Sequence, residues 1–150
     1  MRNYHLGNSM GYVIKSIISL LLLVLGGMIY ILFRPKTLLM FSWFESLGLS
    51  GIIDKARENV SCYQLDNITL YNLPNGLWMA SYIIVVSTII PKEQKNNLLF
   101  WSLILPIISV VFEFLQIFNI IPGVFDIYDI VFYLLPLLIY LIYLKYEKAI

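Results

Sequence analysis

Cysteine and histidine are almost absent from this chain and charge is sparse, and each scarcity removes a class of function. Cys62 is the single cysteine, so neither an intrachain disulfide nor a cysteine-based zinc cage can form. The one histidine, His5, has no second ligand type at helical spacing, so neither a metal centre nor a cofactor is expected. Charged residues make up 13% of the chain, against about 25% in soluble domains. The net charge is +1 and the basic residues are scattered, which leaves no field for nucleic acid. No glycine-rich phosphate loop, Gly-x-Ser-x-Gly elbow or His-Glu-x-x-His pair occurs, so no familiar soluble enzyme class is indicated.

Hydrophobicity fills the space that charge leaves. At 60% apolar residues over 150 positions, the composition is that of a multi-pass membrane protein in one domain. The apolar run from Val13 to Phe33 is longer than the roughly 7 to 15 residues of a signal-peptide core, and no small-x-small site follows it. It is therefore expected to stay in the mature protein.

Four runs approach the length needed to cross a hydrocarbon core of about 30 Å. They cover about residues 11–33, 76–90, 98–118 and 127–144. Arg34-Pro35 closes the first, the second is short and ends at Pro91, and Pro106 and Pro136 lie inside the third and fourth. None alternates as a membrane strand does, so the expected class is an all-α integral membrane protein with four transmembrane helices. A fifth apolar segment, 38–49, is too short to span. Its helical pattern sets Leu39, Met40, Trp43, Phe44 and Leu47 against Ser42, Glu45 and Ser46, as in an interfacial helix with Trp43 at headgroup level. Residues 50–72 read as a polar loop.

The distribution of lysine and arginine orients the chain. With a cytoplasmic N-terminus, Arg2, Lys15, Lys92, Lys95, Lys145 and Lys148 fall inside, and Arg34, Lys36, Lys55 and Arg57 fall outside. Both termini are thus expected in the cytoplasm, with residues 50–72 and 119–126 on the outer side of a bacterial cytoplasmic membrane.

Against this apolar background four polar residues stand out: Glu113, Gln116, Asp126 and Asp129. A carboxylate in a spanning segment costs roughly 2.5 to 3.5 kcal/mol on insertion scales, so it tends to face a partner, a cavity or a substrate. Glu113 and Gln116 are three apart and share a helix face, as do Asp126 and Asp129 at the next helix start. Pro122-Gly123 is expected to turn the chain tightly between them and form a small acidic pocket at the outer face. Each residue also has a plainer reading. Asp126 can cap the fourth helix and Asp129 can complement its dipole. Glu113 can hydrogen-bond to Gln116 or pair with Arg34, and Arg34 can be a snorkelling anchor instead of a counter-charge. Trp78 and Trp101 read as interfacial belt residues.

The pattern Glu113-x-x-Gln116, a short turn, then Asp126-x-x-Asp129 resembles the VanZ-like family of small bacterial membrane proteins linked to glycopeptide resistance. Three earlier stretches are similar as well: Ile29-Tyr30-Ile31-Leu32-Phe33-Arg34-Pro35, Leu39-Met40-Phe41-x-Trp43-Phe44 and Leu73-Pro74-Asn75-Gly76-Leu77-Trp78. This chain departs from the family where Gly123 stands in place of an arginine and Tyr133 in place of an asparagine. The resemblance implies action at the outer membrane face, on an envelope lipid or on access of a glycopeptide such as teicoplanin to it. Glu113, Gln116, Asp126, Asp129 and Arg34 would be the ligand-binding residues, and membrane lipids the surrounding partners. The other expectation is a non-catalytic scaffold whose polar cluster locks two helices together.

Overall fold

The computed structural model describes residues 2–147, with side chains described from residue 10 to 146. Lys148, one of the orienting charges, lies outside them. Among the described residues the chain is all-helical, with no strand. The elements are α1 (Arg2–Phe33), α2 (Leu39–Ser46), α3 (Ser50–Asn59), a π-helical turn (Ile68–Asn72), α4 (Leu73–Ile89), α5 (Lys95–Ile117) and α6 (Ile127–Glu147). Three helical segments, Met10–Phe33, Lys95–Ile117 and Ile127–Tyr146, are long and apolar enough to cross a membrane.

The stop signals act where elementary chemistry places them. Pro35 disfavours helical geometry for Arg34, and α1 ends one residue earlier at Phe33. The Arg57 guanidinium then donates to the Ile31 carbonyl at 2.5 Å, satisfying an orphan acceptor in the last turn of α1. After α2 the chain takes a left-handed step at Gly48 (φ 71°). There Leu49 N–H reaches Phe44 O at 2.8 Å and Gly48 N–H reaches Glu45 O at 2.9 Å, the paired bonds of a Schellman ending. The helix expected over 38–49 is therefore shorter, Leu39–Ser46, and the chain bends from it into α3.

The polar loop expected over residues 50–72 is a second correction, because α3 and the π turn occupy much of it. Asp66 starts the second of these: its carboxylate accepts from the Thr69 backbone N–H (3.0 Å) and from the Thr69 hydroxyl (2.6 Å). Those two bonds hold the Asp66 carboxyl below its ordinary range. The π turn runs straight into α4, which extends the second apolar run towards the N-terminus.

α1, α4, α5 and α6 alternate in direction, and α4 packs against the other three. One end of this bundle gathers Arg34, Tyr71, Asn72 and Asp126, and the opposite end brings Lys92 over Tyr143. The core is thin: Met79 and Ile83 of α4 meet Leu137 of α6, with Tyr82, Leu103, Tyr133 and Leu134 around them. Polar links supplement it. Ser81 Oγ donates to Ser19 O at 2.7 Å, and the Tyr82 hydroxyl donates to the Trp101 carbonyl. Such interhelical bonds suit helices with little hydrophobic drive to associate.

Trp78, read from the sequence as a belt residue, is part of this packing. Its indole N–H donates to Leu23 O at 3.2 Å and its ring lies 5.5 Å from that of Tyr30. Only a glycine at position 26 allows this approach, since a Cβ there would sit 2.5 Å from the indole nitrogen and 3.2 Å from the Pro74 carbonyl. A Cβ at Gly27 would meet nothing. Gly26→Ala should therefore destabilise the protein by about 1 to 3 kcal/mol through overpacking, while Gly27→Ala should be neutral or slightly stabilising. Thermal unfolding of both variants in detergent checks this, and equal midpoints would refute the α1–α4 contact.

Candidate functional site

The site forms where the N-termini of α4 and α6 meet the C-terminal part of α5. Asp126 sits just ahead of α6 and caps it, its Oδ1 accepting from the Tyr128 backbone N–H at 2.8 Å. Its other oxygen, Oδ2, accepts from Asn72 Nδ2 at 3.0 Å. Asp129, in the first turn, receives two amides on Oδ1: Asn72 Nδ2 at 2.8 Å and Asn75 Nδ2 at 2.7 Å. One carboxamide, that of Asn72, therefore bridges both aspartates. It is 2% exposed, so its donors have no access to water as an alternative.

Glu113, on α5 and 4% exposed, completes the group. Its Oε2 accepts from the Asp126 backbone N–H at 3.3 Å, and its Oε1 accepts from the Tyr133 hydroxyl at 3.5 Å. Both distances are long for such pairs, so Glu113 is the most loosely bonded of the three carboxylates. Every donor to the cluster is a neutral amide or hydroxyl. Three carboxylates held by neutral donors can share a proton or accept a cationic or hydroxyl-bearing group. Among the described residues no set of three His, Cys, Asp or Glu side chains is placed to hold a metal ion.

Of the five residues singled out from sequence, the structure brings three together. Glu113, Asp126 and Asp129 converge. Gln116 does not join them. Its carboxamide lies over Gly123, where a Cβ would fall 2.6 to 2.9 Å from it, and Gly123 has φ 144°. A side chain at position 123 would have to displace the Gln116 carboxamide and hold a backbone conformation that L residues rarely adopt. Nor is the reversal between α5 and α6 confined to Pro122-Gly123. It begins at Asn119 (φ 53°), where Ile120 N–H returns to Leu115 O at 3.1 Å.

Arg34 is not a counter-charge to Glu113. Its guanidinium lies between the rings of Tyr30 and Tyr71, 4.9 and 4.6 Å from their centroids, and makes no ion pair with the cluster. Cation–π contact holds it against α1 and the π turn.

The residues that sequence reasoning missed are Asn72 and Asn75. A signal was present, because they repeat the three-residue spacing of the other polar pairs at the entry to an apolar helix. Comparisons of the chain with family models, with curated proteins and with solved structures returned no match.

Proposed function

We propose that this is a four-span protein of a bacterial cytoplasmic membrane that binds a polar group of an envelope lipid at the outer face, in the manner of VanZ-like proteins. One observation carries the reading: Glu113, Asp126 and Asp129 converge at one end of the bundle with neutral donors only. Asp126 and Asp129 are partly exposed, so an incoming group has a route to them. The π turn and α4 make a continuous helical run from Ile68 to Ile89, roughly the 30 Å of a hydrocarbon core, which supports a fourth crossing.

The direct experiment is expression in a teicoplanin-sensitive Gram-positive host. Lower susceptibility is expected, and Asp126→Asn combined with Asp129→Asn should abolish it at equal membrane abundance. Asparagine still caps a helix, so the double variant removes charge with little effect on the start of α6. Unchanged susceptibility at confirmed expression and orientation would remove the antibiotic-linked reading.

Orientation has its own test. Cys62 is exposed in the connection between α3 and the π turn. An impermeant maleimide should label it in intact cells, whereas Cys62→Ser with Gln94→Cys should label only after lysis. The reverse pattern would invert the topology.

A second reading has specific support. The cluster links the π turn, α4, α5 and α6 through internal bonds, and both amide hydrogens of Asn72 are used in them, as a helix lock requires.

A further inference from the structure

α2 touches no element except α3, yet most of its residues are apolar. Leu39, Trp43 and Leu47 recur every four residues and form one stripe, exposed to 68%, 60% and 70%. Among the described residues none covers it. The other side of α2 is held firmly. Phe41 lies under the Arg57 guanidinium, 5.4 Å from it, and packs edge-on to Phe44. Arg57 is in turn bonded to the Ile31 carbonyl of α1, and Lys36 pairs with Asp54 of α3 at 2.5 Å. The elbow made by α2 and α3 is thus pinned to the last turn of α1, and α2 starts six residues beyond the point where an apolar span ends.

We propose that the Leu39/Trp43/Leu47 stripe is a membrane anchor, seated in the interfacial region of the leaflet in which α1 terminates, with phospholipid as its partner. Position decides for lipid. A helix tied to the end of a span lies at headgroup depth whatever its sequence, and indole is the side chain that favours that depth. α1 itself presents exposed apolar side chains, Leu25 and Met28 among them, to the same apolar phase. An eight-residue helix packed only against α3 has little of its own to hold it in water. α3 carries exposed Lys55, Glu58 and Asn59, which suit the aqueous side. The proposal rests on α1 crossing the membrane and is independent of what the carboxylate cluster binds.

Site-directed spin labelling of the full chain tests it. In a Cys62→Ser background, Leu39→Cys, Leu47→Cys, Lys55→Cys and Leu21→Cys are labelled singly and reconstituted into phosphatidylcholine–phosphatidylglycerol vesicles. All four positions are exposed, so each variant is expected to fold. Labels at 39 and 47 should favour collision with oxygen over a water-soluble nickel chelate several-fold more than the label at 55, at a depth shallower than 21. Labels at 39 and 47 as accessible to the chelate as the label at 55 would overturn the anchor. Broadening at 47 that grows with protein-to-lipid ratio would assign the stripe to a second copy instead. A chelate-accessible label at 21 would remove the α1 crossing, and the proposal with it, without bearing on the carboxylate site.

Discussion

Asn72→Asp should be among the most damaging single substitutions in the bundle, although it exchanges one nitrogen for one oxygen. Asn72 gives one amide hydrogen to Asp126 at 3.0 Å and the other to Asp129 at 2.8 Å, from a position with almost no solvent access. The variant removes both donors and sets a fourth carboxylate within contact distance of two others. Losing the partner of a buried charged group costs about 3 kcal/mol or more. Asn72→Ala removes the donors without adding charge and should cost less, about 1 to 3 kcal/mol. Asn75→Ala should cost least, because Asp129 keeps the Asn72 bond. Thermal unfolding in detergent gives the order. Acidification should narrow the gap for Asn72→Asp, since a protonated carboxyl regains a donor and loses the repulsion. A variant as stable as the parent at neutral pH would mean that Asn72 does not bridge the aspartates.

Helix existence is readable because uninterrupted apolar runs leave few alternatives, and because Pro35 and Pro91 stop two of them. α3 is not, for the opposite reason. Asp54, Lys55, Arg57 and Glu58 give Ser50–Asn59 the composition of a loop, and its tie to the rest of the fold runs through Arg57 to Ile31. That contact is separated by 26 residues, and no local pattern announces it.

At the site, periodicity placed Asp126 and Asp129 on one face and proximity did the rest. The residues that hold them are amides, which carry no charge and so draw no notice in an apolar run. Arg34 shows the complementary error. Its place at the end of α1 gives its depth in the bundle but not its direction around the helix. Tyr30, one turn back, and Tyr71 turn it away from Glu113. Gln116 fails on a smaller scale: a shared face with Glu113 did not prevent its carboxamide from closing over Gly123.

Glu113 is where the lock and the ligand site make different predictions. Its two acceptor contacts are with the Asp126 N–H and the Tyr133 hydroxyl, at 3.3 and 3.5 Å. Glu113→Gln keeps one carbonyl acceptor, and the hydroxyl can rotate to accept from the new amide. It also removes one of three like charges. Its stability should therefore stay within about 1 kcal/mol of the parent. Glu113→Leu leaves both donors without an acceptor and should cost about 2 to 3 kcal/mol. Both readings share that ordering in stability; susceptibility of the expression host separates them. A site that draws a cationic or hydroxyl-bearing headgroup by its charge should lose most of its effect in Glu113→Gln, at unchanged abundance and unfolding midpoint. A lock should lose nothing in Glu113→Gln and fail only in Glu113→Leu, in step with stability. Full activity in a stable Glu113→Gln would thus eliminate any role for the charge of Glu113 and leave its hydrogen bonds to Asp126 and Tyr133 as its whole contribution.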